Sequence, residues 1–112
     1  KQSYLGKSLD GFTPMGPCIV TADEIEDVQN LNIKCTVNDE VRQESNTKLM
    51  MQTVAGAISE LSQGITLQAG TIIATGTPAG VGMGMNPPCF LKRGDNIICE
   101  VEKIGKLINF VE

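Results

Sequence analysis

Histidine and tryptophan are absent from the 112 residues, and aromatic side chains amount to 4%, three Phe and one Tyr. Without an imidazole the chain cannot hold a Ser-His or Cys-His nucleophile of its own, and the usual structural zinc combinations lose half their ligand types. No apolar run approaches the ~20 residues of a membrane span, and Lys1 to Leu5 carry no apolar signal core, so no membrane association is expected. Nine basic residues stand against thirteen acidic ones, for a formal charge of -4, and they are scattered rather than gathered into a stripe. Nucleic acid is therefore not expected as a partner, and a cytoplasmic location is.

The residues present are 41% hydrophobic and 20% charged, with twelve Gly, the composition of a globular, turn-rich chain. The length suits one domain and not two, and a domain of this size buries about 65% of its unfolded surface. Cys18, Cys35, Cys89 and Cys99 never approach a C-x-x-C spacing. They are expected as buried small apolar residues rather than as disulfides or metal ligands.

Gly6 to Pro17 contains three glycines and two prolines, which points to a structured loop. Cys18 to Thr21 is a short strand candidate, and Thr21 or Asp23 is placed to cap a helical turn through Glu24 to Asp27. From Leu31 the apolar residues Leu31, Ile33, Cys35 and Val37 alternate with polar ones, the period of a strand with one buried face. Asn38 and Asp39 tolerate positive φ, so a hairpin returning through Val41 to Glu44 is expected. Val54, Ile58 and Leu61 recur at helical spacing, with Asn46 or Thr53 before them and Gly64 after, which predicts the main helix. Leu67 to Gly70 reads as a turn, and Thr71 to Thr75 as a buried strand. Ile97 to Glu102 and Leu107 to Val111 form a second hairpin. The fold class is mainly β (α+β) with one main helix.

Two places could carry chemistry. Lys7 lies at the entrance of the first loop, where a lysine held toward a pocket can move a proton or polarise an oxygen; a solvated surface lysine is the alternative. Gly76, Gly80 and Gly82 alternate with Thr77 and Pro78 in the long loop from Gly76 to Pro88, where backbone can approach an anion. No Gly-Lys-Ser/Thr follows, so a P-loop is excluded, and a purely structural Gly-Pro loop stays open beside an anion or substrate loop. Asp10, Asp23, Glu24, Glu26 and Asp27 form the densest acidic group, but most of it sits on the expected helical turn, and metal ligation is not assigned there. Asn38, Asp39, Arg42, Gln43 and Glu44 are expected to face water on the hairpin.

Read in order, these pieces resemble the C-terminal half of the fumarylacetoacetate hydrolase superfamily. The resemblance rests on Gly6-Lys7-Ser8 with Asp10 to Pro17, on Val37-Asn38-Asp39-Glu40 with Arg42-Gln43, on Asn46-Thr47, on Thr75 to Gly82, and on Leu91 with Gly94-Asp95. Within that superfamily, the resemblance is to bacterial 2-hydroxyhepta-2,4-diene-1,7-dioate isomerases and related 2-oxo acid hydrolases and decarboxylases. It implies a mixed β-roll, a homodimer, a role in aromatic catabolism, and a Mg, Mn or Ca ion that chelates a small 2-oxo acid and stabilises its enolate. By position, Lys7 matches the family's lysine beside metal and substrate. Thr77 matches the threonine that contacts the substrate carboxylate, with Gly76 and Pro78 beside it.

Three departures accompany the resemblance. Gly11 stands where fumarylacetoacetate hydrolases proper place a threonine, which disfavours that narrow activity; Asp39 and Thr71 replace a usual glycine and aspartate. The family's metal ligands, a Glu-x-Glu pair and an Asp, lie before the lysine, and Lys1 to Gly6 contain no acidic residue. No metal ligand is therefore assigned within the chain, which is expected to be a fragment of a longer enzyme. The alternative is a catalytically inert module that keeps the fold as an interaction scaffold.

Overall fold

The computed structural model describes residues 3–112. The alternating segment forms β1, Asn32–Val37, and the chain reverses at Asn38 and Asp39, whose φ values of 50° and 66° are both positive. A two-residue turn of that kind matches the twist of the strands it joins. Strand β2, Glu40–Asn46, returns antiparallel, and a second hairpin pairs β3, Asn96–Val101, with β4, Gly105–Phe110. Pairing of β1 with β3 completes a four-stranded antiparallel sheet in the order β2-β1-β3-β4. The Asn38 side chain ties the hairpins together: its Nδ2 donates to Asp95 Oδ1 at 2.8 Å, and its Oδ1 accepts from the Asn96 amide at 2.9 Å.

The sheet has two different faces, as the period of two requires. One carries Ile33, Cys35 and Val37 opposite Val101, Cys99 and Ile97. Across the other runs a row of alternating charge, Glu44, Lys34, Glu100 and Lys106, one from each strand. Lys106 lies 3.5 Å from Glu100 and Lys34 4.0 Å from Glu44. Exposed pairs of this kind contribute a few tenths of a kcal/mol to about 1 kcal/mol each, so the row fixes register more than it stabilises.

A short helix α1, Ser3–Lys7, precedes the first loop, and α2, Val54–Ser62, is the main helix. Thr53 caps α2 by accepting from the Gly56 amide at 3.0 Å, and Gln29 Oε1 takes the Val54 amide at 2.6 Å, so two of the amides left free at a helix start are satisfied. The Gly64 amide closes the other end on the Leu61 carbonyl at 3.2 Å. Beneath the sheet end, Thr47 Oγ1 accepts from the Leu31 amide and donates to the Val28 carbonyl, both at 2.8 Å, anchoring the segment that delivers α2.

Several expectations need correction. Gly6 and Lys7 belong to the last turn of α1 rather than to the loop. The helical turn near Asp23 is a single 3-10 turn, Ala22–Glu24, and Cys18 to Thr21 is irregular. Thr71 to Thr75 forms no strand, because among the described residues nothing pairs with it, and β-branched residues favour strands only on a paired, half-buried surface. The cysteines are not buried: Cys18, Cys89 and Cys99 are exposed and Cys35 is half-buried. Ile58 on the apolar stripe of α2 is exposed as well.

The exposure of the cysteines and of Ile58 follows from the thinness of the core. Among the described residues only Ile25, Leu31 and Val37 are buried hydrophobics. A compact chain of this mass exposes about 6,000 Å², whereas this one exposes 9032 Å². Its radius of gyration is 15.2 Å, against about 13 Å for a compact domain of this length. The sheet is well paired, but the layer over its apolar face is incomplete.

Candidate functional site

The site begins with an irregularity in β2. Cys35 pairs with Gln43 and Thr36 with Val41, so Arg42 is an extra residue with no partner on β1. A bulge of this kind breaks the alternation and re-aims side chains. Arg42 and Gln43, consecutive in sequence, both come to line a cavity of about 680 Å³ over the apolar face of the sheet. Cys35 and Val37 form its floor, and Val81, Met85 and Cys89 close it from the side of the long loop.

Two glycines allow close backbone approach, Gly80 to the sheet and Gly82 to the other arm of the loop. A Cβ at Gly80, whose φ is +104°, would stand 2.0 Å from the Arg42 carbonyl oxygen, and a Cβ at Gly82 would stand 1.9 Å from that of Cys89. Neither position has room for a side chain. The Cys89 amide donates to the Gly82 carbonyl at 2.9 Å, pinning the two arms of the loop around the 3-10 turn Gly82–Gly84. Gln43 then fixes the loop's entrance: its Nε2 donates to Thr77 Oγ1 and to the Pro78 carbonyl, both at 2.8 Å.

Arg42 is held on several sides. Its Nη2 pairs with Glu40 Oε2 at 3.1 Å and its Nη1 donates to Met85 Sδ at 3.1 Å, while Nε is buried without a hydrogen-bond partner among the described residues. The side chain of Cys89, followed by the charges of Glu40 and Asp95, holds the guanidinium pKa above its ordinary value against the opposing effect of burial. At the far end of the cavity Asp95 accepts from the Lys92 amide at 2.7 Å and from Asn38, and these bonds hold its carboxyl below the usual carboxylate range.

The structure brings together Thr77, Pro78 and Gln43, with Gly76 at φ +98° making the turn before them. It does not bring Lys7 to the cavity wall; Lys7 is exposed at the end of α1, and its carbonyl accepts from Thr13 Oγ1. Arg42 and Gln43, expected to face water, are half-buried, whereas Asn38, Asp39 and Glu44 are exposed as expected, Asn38 also serving as a latch. The signal that could have found Arg42 and Gln43 is the break in alternation after Val41. Among the described residues no three His, Cys, Asp or Glu side chains come together as a metal ion requires, so the residues present do not fit the divalent ion that the resemblance implies.

Residues 1–112 match the family model described as fumarylacetoacetate (FAA) hydrolase C-terminal. The chain belongs to the fumarylacetoacetate hydrolase family. It is similar to the mitochondrial oxaloacetate tautomerase Fahd2a of Rattus norvegicus, with 50% identity over 99% of this chain and 36% of that protein. It is similar to the solved fumarylacetoacetate hydrolase of Exiguobacterium antarcticum, with 52% identity and a TM-score of 0.93 over 96% of this chain and 39% of that one. Maleylpyruvate hydrolase of Sphingobium sp. SYK-6, solved with manganese (II) ion and pyruvate, has 41% identity and a TM-score of 0.84 over 94% of this chain and 37% of that one. The chain thus spans little more than a third of the length of these relatives.

Proposed function

We propose that the chain supplies the carboxylate-binding loop and an enolate-handling lysine to a divalent-metal-dependent enzyme of small 2-oxo (di)carboxylic acids, and that its reaction is keto–enol tautomerisation of a short 2-oxo diacid. The supporting observation is the 50% identity over 99% of the chain to a protein named for oxaloacetate tautomerisation. Tautomerisation, decarboxylation and C–C hydrolysis of a 2-oxo acid pass through the same enolate, so one scaffold serves all three. Of these, tautomerisation needs only a proton moved between the 2-oxygen and carbon 3.

The geometry supports a division of labour. Gln43 donates into a lone pair of Thr77 Oγ1, which leaves the Thr77 hydroxyl proton free to donate to a substrate carboxylate. Gly76 and Pro78 set the turn that presents it. Lys7, placed by its position in the family pattern and not by a contact with this loop, supplies the proton or the positive charge that the enolate oxygen calls for. A divalent ion, Mg or the manganese (II) found with one solved relative, would be held by acidic residues elsewhere in the whole protein. The exposed apolar loops are the surfaces on which the remainder of such a protein packs. A homodimer and a cytoplasmic site of action complete the reading.

The test is the rate of loss of the oxaloacetate enol absorbance with the whole protein and added Mg or Mn, beside assays for pyruvate release from oxaloacetate and from maleylpyruvate. Metal-dependent enol loss without pyruvate release supports tautomerisation. Faster pyruvate release would move the reaction to decarboxylation or hydrolysis, and no turnover in a metal-loaded protein would favour an inert scaffold.

A further inference from the structure

The candidate cavity uses Cys35 only as floor and does not include Cys99, its partner across the sheet. The two residues face each other directly across β1 and β3, with their sulfurs 3.8 Å apart. The hydrogen-bond pattern fixes which kind of pair this is. The Asn38 amide donates to the Asn96 carbonyl and the Glu102 amide to the Asn32 carbonyl, both at 2.9 Å, so 38/96 and 32/102 are hydrogen-bonded pairs. Pairs of that kind recur every second residue in an antiparallel ladder, at 36/98 and 34/100, which leaves Cys35/Cys99 as a non-hydrogen-bonded pair. In such pairs the Cα atoms lie about 4.5 Å apart and the side chains are closest, within the range that a disulfide spans.

We infer that Cys35 and Cys99 are an oxidant-closable dithiol, which hydrogen peroxide converts into a cross-strand disulfide at the centre of the sheet. Cys99 is the exposed member and meets the oxidant first. Its sulfur attacks one peroxide oxygen, the O–O bond breaks, and the departing hydroxide takes up the thiol proton to leave as water, giving a sulfenic acid. Cys35 then attacks the Cys99 sulfur; the S–O bond breaks, and the hydroxide leaves as a second water with the Cys35 proton. Two thiols and one hydrogen peroxide become one disulfide and two waters. Burial, and then the neighbouring Cys99, push the Cys35 thiol up to about 11, which disfavours it as the first thiol to react with the oxidant. Closing the bond requires the sulfurs to approach from 3.8 Å to about 2.0 Å, a shift within reach of side-chain rotation.

The other two thiols are controls. Cys18 donates to the Ile104 carbonyl at 3.6 Å, and Cys89 lies in the long loop across the cavity from Cys35. The test treats the whole native protein with a slight excess of hydrogen peroxide, blocks remaining thiols, and maps tryptic peptides without reduction. Peptides 35–42 and 94–103 are expected joined, with the loss of two hydrogens. The joined peptide should disappear in both Cys35→Ser and Cys99→Ser, and it should persist in Cys18→Ser and Cys89→Ser. In urea the pairing should scatter among the cysteines of the protein, showing that the folded sheet selects the pair. A native protein whose Cys99 proceeds to sulfinic acid without joining Cys35, or whose Cys35 joins Cys89 instead, overturns the inference. The map needs no catalytic assay, so its outcome is independent of the proposed reaction.

Discussion

The side-chain amide of Gln43 holds two neighbours at once, the Thr77 hydroxyl and the Pro78 carbonyl, each at 2.8 Å. It is the polar link between the bulged strand and the entrance of the long loop. Replacing Gln43 with Ala removes both bonds, each worth about 1 kcal/mol net, and leaves Thr77 without the donor that orients its hydroxyl. A fall of about tenfold in kcat/KM is expected in the whole enzyme. Gln43→Glu keeps the shape but sets a carboxylate against the Pro78 carbonyl, and its loss should be at least as large. A Glu variant with full activity would mean that the bond to Pro78 is not needed.

The two glycines Gly76 and Gly80 share a positive φ, +98° and +104°, yet differ in their surroundings. A Cβ at Gly76 meets nothing within 4 Å, whereas at Gly80 it meets the Arg42 carbonyl oxygen at 2.0 Å. Gly76→Ala should destabilise by about 1–2 kcal/mol, the ordinary penalty of left-handed backbone. Gly80→Ala adds a backbone collision, and a loss of about 3 kcal/mol or more is expected, or a displaced loop. Urea unfolding of the two variants side by side checks the difference.

The sheet was legible in the sequence because each of its signals is local. Alternation from Leu31 to Val37, the Asn38-Asp39 reversal and the Thr53 cap are decided by neighbours within a few residues, and the structure agrees at each. Thr71 to Thr75 was misread for the opposite reason, since a strand needs a partner and the segment's own composition cannot show that one is missing. The site was legible by half. Thr77 and its loop stand out by their glycines, but Arg42 and Gln43 reach the cavity through a one-residue slip against β1, which a pattern of period two hides.

Asp95 makes the acid limb of stability testable. Its carboxylate accepts from the Lys92 amide and from Asn38, and its pKa in the folded chain lies below the ordinary value. With the folded value depressed, the unfolded state binds the proton more readily. The contribution is therefore complete above the unfolded pKa of about 4 and is lost as pH falls through the folded value. Asp95→Asn should lower Tm at pH 7 and narrow the gap to wild type as the pH is taken toward 3. A gap that stays constant across that range would mean that the carboxylate's charge is not what the latch uses.

Lys7 is the residue whose assigned role rests most on position and least on contacts, and two substitutions separate what it could do. Its side chain is exposed, so Lys7→Ala should leave stability within about 0.5 kcal/mol of wild type. If Lys7 moves a proton at the enolate, kcat of the whole enzyme should fall about 10²- to 10⁴-fold in Lys7→Ala. Lys7→Arg keeps the charge but cannot release a proton, so it should be as slow as Ala under proton transfer and partly active if only charge is needed. Thr77→Val serves as the comparison: losing a donor to a carboxylate costs about 1.5–3 kcal/mol, or roughly 10- to 100-fold, and should appear mainly in KM. An unimpaired Lys7→Ala enzyme would return Lys7 to the class of solvated surface lysines and leave the reaction to residues elsewhere in the protein.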